Sequence, residues 1–369
     1  YAEGSGWIAG TLFLKDTIMT DAQTNEYPAK GYATHAPDQP LAPFAFNRRG
    51  LRHDDVLIEI SHCGICHSDL HTARNDWGGS KYPVLPGHEI VGHVRAVGED
   101  VTEFAEGDRV AVGCMVDACL ECDHCQQGLE QYCLHGMTGT YNGKDRRDGS
   151  TTLGGYSDKI VVRQEFVLRI PDGMDMGAAA PLLCAGITTY SPLRQWKVGP
   201  GSKVAVVGLG GLGHMGVKLA AAMGADVTVL TRTEDKMADA KALGAKDILL
   251  STDREAMKAA ANSFDMILNT IPVPHPVAHY MPLLKVDCAQ VLVGVIGMLP
   301  EMHSGHLIGR RILTGSGIGG IAETQEMLDF CAEKNILPEI EMIAMQDVNN
   351  AYDRMEQSDV RYRFVIDME

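Results

Sequence analysis

The sequence has no long apolar run, no surplus of positive charge and no internal repeat. Its 369 residues contain no segment of about 18 or more uncharged apolar residues, the length a helix needs to cross a bilayer. Lys and Arg number 32 against 48 Asp and Glu, and the formal charge of -16 argues against nucleic acid or an anionic membrane as a partner. The chain is therefore expected to act on a small molecule.

The beginning of the chain lacks the features of a secretory leader. Residues 1–18 contain no methionine and no cationic start, and the apolar stretch from Trp7 to Leu14 is short for a signal peptide. We expect Met19 to be the natural start and residues 1–18 to be an extension. The ten cysteines could form a disulfide scaffold, but four lie between 119 and 133 with metal-like spacing, so a cytoplasmic location is predicted.

A chain of this length is expected to form two domains, because one hydrophobic core rarely serves so many residues. The first part has short apolar runs separated by glycines, which is typical of a β-rich domain. Its predicted strands are Asp55 to Ile60, Glu89 to Val97, Arg109 to Val112 and Ile160 to Val162.

Residues 61–71 concentrate thiol, hydroxyl, carboxylate and imidazole groups directly after a predicted strand. Each side chain alone is explained by burial, solvation or capping, but together they indicate chemistry on a loop or short helix after Gly64. Cys63 and Cys66 could form a redox pair. Because Pro86-Gly87-His88-Glu89 follows, a catalytic zinc site with two thiolates, one imidazole and an open position is the favoured interpretation.

The most specific local pattern is Cys119-x2-Cys122-x2-Cys125-x7-Cys133. Four thiolates at this spacing can close tetrahedrally on one zinc ion and leave no open position, so the site is predicted to be structural. An iron–sulfur cluster and free surface thiols are the alternatives. The bacterial ferredoxin pattern has a proline after its fourth cysteine, whereas Leu134 follows Cys133 here.

From Lys203 onward the pattern becomes that of a doubly wound α/β domain. The apolar run Lys203 to Val207 predicts a strand buried in a parallel sheet, and a glycine-rich turn follows it at once. Further helices are predicted at His214 to Met223 and Glu234 to Leu243. The remaining strands are predicted at Asp226 to Leu230, Asp247 to Leu250, Phe264 to Leu268 and Val291 to Val295.

The turn after Val207 has the glycine spacing of a dinucleotide-binding site in its required context, with a strand before it and a helix after it. Gly208 allows the tight turn, Gly210 lets the backbone approach a pyrophosphate, and Gly213 lets the helix pack on the strand. Free N–H groups at the start of the helix would bind the phosphates.

The second predicted strand of the α/β domain, Asp226 to Leu230, is followed by Thr231-Arg232-Thr233. This end of the strand lacks the acid that binds the adenosine ribose in NAD-binding proteins. Hydroxyls together with Arg232 and Lys236 would bind a 2′-phosphate, so NADP is predicted. Alternatively these cations only decorate a solvated helix start, where Glu234 and Asp235 weaken the positive field.

Jointly these motifs resemble the zinc-containing medium-chain alcohol dehydrogenases, and most closely the cinnamyl-alcohol-dehydrogenase-like, NADP-dependent aldehyde reductases. The resemblance runs from Lys30 to the end of the chain. It also rests on the residues at 63–71, 86–89, 182–190, 208–216 and 323–328. It implies a GroES-like β-rich catalytic domain (19–185 and 322–369), a Rossmann doubly wound cofactor domain (186–321), and a homodimer paired through the edges of the cofactor-domain sheets.

The resemblance also implies roles for particular residues. Cys66, His88 and Cys184 would bind the catalytic zinc, Glu89 would lie beside it as an occasional ligand, and Asp69 would orient His88. Ser68 and His71 would relay the substrate proton to solvent. Trp77, Cys114 and Ile318 would form the substrate wall, although core packing explains each nearly as well. Around the cofactor it implies His67, Thr188 and Ile318. They join the residues already predicted from the glycine turn and the end of the second strand: Gly208, Gly210, Gly211, Leu212, Gly213, Thr231, Arg232, Thr233 and Lys236.

The expected activity is hydride transfer between NADP(H) and a broad range of aromatic, including cinnamyl-type, and aliphatic aldehydes and primary alcohols, with one catalytic and one structural zinc per chain. An NAD-preferring alcohol dehydrogenase is the closest alternative. A zinc hydrolase would not need the glycine turn after Val207, and a non-catalytic zinc thiol sensor using Cys63 and Cys66 would not need His88, Glu89 or Cys184.

Overall fold

A computed structural model describes residues 26–368, so the expected start at Met19 and the extension 1–18 lie outside the described residues. The strands are β1 (Tyr27–Ala33), β2 (Ala42–Arg48), β3 (Asp55–Gly64), β4 (Ile90–Val97), β5 (Arg109–Val112), β6 (Met115–Asp117), β7 (Thr138–Gly139), β8 (Lys159–Arg163), β9 (Leu168–Arg169), β10 (Lys203–Val207), β11 (Asp226–Thr231), β12 (Asp247–Leu250), β13 (Phe264–Asn269), β14 (Leu284–Leu292), β15 (Ile312–Gly315), β16 (Ile340–Ala344) and β17 (Arg363–Asp367).

The α-helices are α1 (His67–Ala73), α2 (Asp123–Gln126), α3 (Met176–Ala179), α4 (Ala185–Gln195), α5 (Gly211–Ala222), α6 (Met237–Ala242), α7 (Arg254–Ala259), α8 (Gly305–Ile308), α9 (Ile321–Lys334) and α10 (Val348–Glu356). Short 3-10 helices occupy Glu130–Tyr132, Gln164–Phe166, Ala180–Leu183, Glu234–Lys236, Val277–Leu283 and Met345–Asp347. None of the helices in the described part of the chain could span a membrane.

Six strands form a parallel sheet in the order β12-β11-β10-β13-β14-β15. Val207 at the end of β10 is level with Leu230 on one side and Asn269 on the other. The strand order reverses between β10 and β13, and in a doubly wound sheet a crevice opens at this point, beyond the carboxyl ends of the strands. The turn at Gly208 lies at this crevice, so the predicted parallel, doubly wound sheet is confirmed.

A second sheet, in the order β16-β17-β3-β4-β5-β9 with β8 also paired to β3, is mainly antiparallel. The last strand of the chain, β17, pairs with the end of β3, where Val365 faces Gly64 and Ile366 faces Cys63. The C-terminal part of the chain thus completes the sheet that leads into the first cysteine motif. The predicted β-rich domain is confirmed.

Three local predictions need correction, and one strand was missed. β3 continues through Ser61–Gly64, where it pairs with β4 on one side and β17 on the other; the local sequence does not reveal the pairing with β17. The helix predicted from Glu234 begins as a 3-10 turn and becomes α-helical only at Met237. The strand predicted at Val291 to Val295 is β14, which begins at Leu284 and ends at Leu292. The edge strand β15 was not predicted at all.

The largest hydrophobic core joins the parallel sheet to the second sheet. It includes Val204 and Val206 of β10, Ile187 of α4 and Leu328 of α9, together with Val91 of β4. These side chains are at most 2% exposed. Side chains of α4 and α9 thus connect the two sheets through one continuous core.

Candidate active site

The first cysteine motif is positioned by the end of β3 and the start of α1. Cys66 is the N-cap of α1, and its backbone N–H donates to Asp69 Oδ2 at 2.9 Å. A side chain at Gly64 would place its Cβ 2.0 Å from Glu89 Oε2. The absence of a side chain at residue 64 therefore leaves the space that the Glu89 carboxylate occupies.

Three distant segments bring four potential metal ligands together. The ligand atoms of Cys66, His88, Glu89 and Cys184 all lie within 4.8 Å of one another, and all four residues are buried. Cys184 comes from the N-terminal end of α4. The sulfurs of Cys66 and Cys184 are 3.9 Å apart, close to the edge of about 3.8 Å for a tetrahedron with Zn–S bonds of about 2.3 Å.

The charges of this cluster also fit a bound cation. A hydrogen bond from Cys184 lowers the pKa of Cys66 well below its usual value, while hydrogen bonds to Cys114 and Cys66 raise that of Cys184. Two neighbouring thiolates repel, and a cation between them removes that repulsion. The Cys63 thiol instead donates to the Gly64 carbonyl at 3.6 Å. Cys66 therefore faces Cys184, and not Cys63.

Asp69 fixes the orientation of His88. The carboxylate is fully buried, and its Oδ1 lies 3.0 Å from His88 Nδ1 and 2.9 Å from the Gly87 N–H. Its Oδ2 also accepts from the hydroxyl of Tyr156, at 3.2 Å. With Nδ1 bonded to Asp69, Nε2 of His88 is free to act as a ligand. Tyr156 follows Gly154-Gly155, and no local signal connects it with Asp69.

Glu89 is paired with an arginine that the sequence did not indicate. Arg363, at the start of β17, forms a buried ion pair with Glu89 Oε1. The other carboxylate oxygen, Oε2, is buried without a hydrogen-bond partner among the described residues. An unpartnered buried oxygen beside two thiols and an imidazole is suited to a cation. Arg363 lies 274 positions from Glu89, so no spacing rule could have found it.

A cavity of about 360 Å³ opens onto the cluster. Ser68, Cys114 and Ile318, three of the predicted site residues, line it together with His88 and Cys184. Further lining residues that the sequence did not suggest are Thr72, Gln131, Tyr132, Met137, Thr140, Tyr141, Asn142 and Gly317. Thr72 lies in α1, one residue after His71. The others lie within or after the four-cysteine motif, or beside Ile318, in segments that carry no catalytic pattern.

Two residues predicted for the site, Trp77 and His71, are not among those that line this cavity. Trp77 is 49% exposed, and its ring is 5.1 Å from the ring of His71. His71 Nδ1 is 2.8 Å from Asp76 Oδ2. When Asp76 accepts the Nδ1 proton, the neutral ring keeps Nε2 as an acceptor. Asp76 is thus a further residue of the site that the sequence pattern missed.

The glycine turn after β10 has the form that a dinucleotide needs. Gly208 has a positive φ of 90°, and a Cβ at Gly213 would meet the Gly208 carbonyl at 2.1 Å. A Cβ at Gly210 would meet no atom within 4 Å, so the backbone there faces open space. Helix α5 begins at Gly211 without a side-chain cap and leaves N–H groups for phosphate oxygens.

A cleft of about 230 Å³ continues from this turn between the two sheets. It is lined by His67, Gly210, Gly211, Lys236 and Arg363, among others. Thr231, Arg232 and Thr233 are not among the lining residues, and Arg232 and Thr233 are exposed beside the cleft. Leu212 lies in the first turn of α5 and packs on the core.

Thr188 is the predicted nicotinamide contact in α4. Its side-chain oxygen is buried without a partner among the described residues. A buried hydroxyl without a partner is suited to a polar group of a ligand, such as the nicotinamide carboxamide.

The other four cysteines form a separate cluster. The ligand atoms of Cys119, Cys122, Cys125 and Cys133 lie within 4.8 Å of one another, and the sulfurs of Cys119 and Cys125 are 3.8 Å apart. Hydrogen bonds from the backbone of Cys125 and Leu134 lower the pKa of Cys122 to about 6, whereas burial raises that of Cys125 to about 12. Four close thiols are all ionised only around a cation, and this donor set fits zinc.

Comparisons with known proteins agree with this arrangement. Residues 52–172 match the family described as alcohol dehydrogenase GroES-like domain, and residues 211–333 match the family described as zinc-binding dehydrogenase. The predicted GroES-like and Rossmann organisation is therefore confirmed.

Relatives match almost the whole chain. NADP-dependent alcohol dehydrogenase C 1 of Mycolicibacterium smegmatis is 56% identical, over 91% of this chain and 97% of that protein. Aldehyde reductase YahK of Escherichia coli is 53% identical, over 92% and 97%. Among solved structures, the cinnamyl alcohol dehydrogenase of Helicobacter pylori in complex with NADP(H) is 41% identical with a TM-score of 0.87, over 93% of this chain and 99% of that one. The chain thus belongs to the zinc-binding alcohol dehydrogenases, a family of oxidoreductases.

Proposed function

We propose that this protein is a zinc-dependent alcohol dehydrogenase and aldehyde reductase that uses NADP(H). The observation that carries the proposal is the meeting of Cys66, His88 and Cys184 at the base of a cavity, beside a cleft that leads to the glycine turn. The relatives named as NADP-dependent alcohol dehydrogenase and aldehyde reductase support it.

Cys66, His88 and Cys184 would hold the catalytic zinc, while Cys119, Cys122, Cys125 and Cys133 would hold the structural one. Lewis acidity at the substrate oxygen comes from the bound zinc, and hydride comes from or goes to the bound nicotinamide. Asp69 holds His88 in one orientation throughout. Arg363 balances the charge of Glu89, so this carboxylate can approach the other ligands without being a permanent one.

Ser68 and His71 would carry the proton of the reaction. Ser68 lines the cavity, 3.7 Å from the Cys66 sulfur, and can exchange a proton with the substrate oxygen. His71 lies three residues further along α1, on the same side of the helix. Asp76 stabilises the charge that His71 gains when it accepts a proton on Nε2.

The cofactor would lie along the cleft, with its phosphates at Gly210, Gly211 and the start of α5. His67 faces this cleft from the other side. Thr188 would bind the nicotinamide end, and Ile318 would contact the ring from the cavity. At the adenosine end, Thr231, Arg232, Thr233 and Lys236 would bind the 2′-phosphate. The Thr233 hydroxyl donates to Asp235 and is therefore already engaged, so Arg232 and Lys236 are the main determinants.

The lining of the cavity suits a range of aldehydes. Cys114, Met137, Tyr141 and Ile318 offer apolar and aromatic surface around the polar end at Ser68. Apolar walls discriminate only weakly between substrates of different size. We therefore propose broad activity toward aromatic and aliphatic aldehydes and the corresponding primary alcohols.

The division of the chain and its assembly are also proposals. The strands of the parallel sheet lie within 203–315, which supports a cofactor domain of residues 186–321 between two parts of a catalytic domain, 19–185 and 322–369. A homodimer paired along the β15 edge is supported by exposed apolar side chains in and near that edge: Val286, Met298, Ile308 and Ile312. The ten free cysteines favour a reducing compartment such as the cytoplasm.

The activity is tested by following nicotinamide absorbance with purified protein, an aldehyde panel, and NADPH or NADH. NADPH should be consumed, and Arg232→Asp should raise the KM for NADPH by about tenfold or more, because a carboxylate would repel the 2′-phosphate. The KM for NADH should change little. Arg254→Asp, at an exposed arginine of the same sheet domain, is the control.

Two results would count against these assignments. If no aldehyde is reduced with either cofactor, the proposed activity is wrong. If the protein is active and the ratio of NADPH to NADH efficiency is the same in Arg232→Asp, the proposed 2′-phosphate site is wrong.

A further inference from the structure

Ile318 forms part of the cavity wall in a backbone conformation that isoleucine rarely adopts. Its φ is 43°, in the left-handed region, which is strongly unfavourable for a β-branched residue. Such a conformation persists only when neighbouring contacts hold it in place. Gly317 precedes Ile318, and Gly319 and Gly320 follow it, so the local chain has little stiffness of its own. Something outside this segment must therefore fix the position of Ile318.

The contacts that fix it come from the four-cysteine lobe, residues 119–133. The hydroxyl oxygen of Tyr132 accepts the backbone N–H of Gly317 at 2.9 Å. Glu130 Oε2 accepts the backbone N–H of Ile321 at 3.0 Å. These two bonds lie one residue before and three residues after Ile318, so the lobe holds the segment 317–321 at both ends.

The lobe and the segment 317–321 can approach closely because position 320 is a glycine. A Cβ at Gly320 would lie 1.9 Å from the Gly128 carbonyl and 2.7 Å from Glu130 Oε2. Only a residue without a side chain can occupy position 320 at this distance. The lobe and the segment 317–321 are thus in direct backbone contact.

Glu130 also replaces a missing helix cap. Gly320 is the N-cap of the 14-residue helix α9 and has no side chain to bond the free N–H groups. Glu130 is only 8% exposed, and its carboxylate bonds one of these N–H groups and lies at the positive end of the helix dipole. A charged, buried bond of this type is stronger than the exposed bond made by Tyr132.

We propose that Glu130 and Tyr132 are positioning residues of the active site, through which the four-cysteine lobe holds Ile318 against the substrate cavity. The lobe then sets the width of the cavity at Ile318, in addition to any contribution it makes to stability. This proposal rests on the proposed reductase activity. It predicts that changes at the lobe alter the choice between large and small aldehydes.

The test compares kcat/KM for cinnamaldehyde and for butanal with NADPH, because a displaced Ile318 affects the larger substrate more. Glu130→Ala should change the ratio of the two values by about fivefold or more, and Tyr132→Phe by about twofold. Glu130→Gln keeps an oxygen acceptor and should stay within about twofold of the wild type. Zinc content should remain unchanged in all three, because every cysteine is kept.

Two controls separate positioning from general stability. Glu121→Ala removes an exposed carboxylate of the same lobe and should leave the ratio unchanged. In an Ile318→Ala background, Glu130→Ala should no longer change the ratio, because the residue it positions has been removed. If Glu130→Ala folds poorly, Tyr132→Phe carries the test. Because Tyr132 also lines the cavity, its effect on the ratio must disappear in the Ile318→Ala background to count as positioning.

The proposal is overturned if Glu130→Ala and Tyr132→Phe lower the melting temperature but leave the ratio of kcat/KM for cinnamaldehyde to kcat/KM for butanal unchanged. It is also overturned if the effect on the ratio is the same with and without Ile318. If the wild-type protein reduces neither aldehyde, the proposed function itself has failed. The outcomes for the two proposals are therefore distinguishable.

Discussion

The two cysteine clusters are built in opposite ways. All four ligands of the structural cluster come from residues 119–133, and two of them are only half buried. The proposed ligands of the catalytic zinc, here called the catalytic cluster, are Cys66, His88, Glu89 and Cys184. They come from the start of α1, the segment before β4 and the start of α4, and all are buried. A local loop can close on a metal with little help from the fold. The catalytic cluster exists only when both sheets and their connections are in place.

This difference predicts that loss of one ligand has different consequences at the two clusters, and these are the largest effects we expect. Cys184→Ser should lower kcat/KM by about a thousandfold or more, because the thiolate that holds the Lewis acid is lost. Cys125→Ser should lower the melting temperature by about 5 °C or more, because a closed zinc site contributes directly to folding stability. Elemental analysis should give one zinc per chain in each variant.

Cys288→Ser is the matched control, since Cys288 is half buried and belongs to neither cluster. It should keep two zinc ions, wild-type activity and wild-type melting temperature. The comparison breaks down if Cys125→Ser abolishes activity at a temperature where the variant is folded, or if Cys184→Ser keeps both zinc ions.

A smaller effect, on zinc affinity, is expected from loss of the hydrogen bonds that Asp69 makes to His88 and Gly87. Asp69→Asn keeps the size of the side chain but replaces an oxygen with an amide that faces N–H donors. Zinc affinity, measured by release to a chelator, should fall about tenfold to a hundredfold, with a similar fall in activity. Asp123→Asn, on the surface of the four-cysteine lobe, should change neither quantity. Equal zinc release from both variants would contradict the role of Asp69.

The same difference explains what could be predicted from the sequence. The four-cysteine spacing and the glycine turn are local, so their residues lie where the pattern indicated. Cys66 and His88 could be proposed from short motifs, but Cys184 could be selected only through family resemblance. Arg363 and Tyr156 act across the fold, on Glu89 and Asp69, and carry no local signal at all.

The secondary structure, too, could be predicted where it depends on local sequence and not where it depends on distant contacts. β10 is a short, continuously apolar strand before a glycine, and its bounds were predicted correctly. The end of β3 pairs with β17, which lies far away in the chain, and β15 pairs with β14 across a loop and the short helix α8. Pairing of this kind is set by tertiary contacts, so propensity and periodicity do not reveal it.

The smallest effect is expected at Trp77, which the resemblance assigned to the substrate wall. Its ring is half exposed and contacts His71, while Met137, next to the four-cysteine lobe, lines the cavity directly. Trp77→Ala should therefore lower kcat by about threefold, through looser packing of His71, and should leave the ratio of kcat/KM for cinnamaldehyde and butanal unchanged. Met137→Ala should change that ratio instead. If Trp77→Ala shifts the preference as much as Met137→Ala, the wall of the cavity extends beyond α1 to Trp77 and is not formed mainly from the side of the lobe.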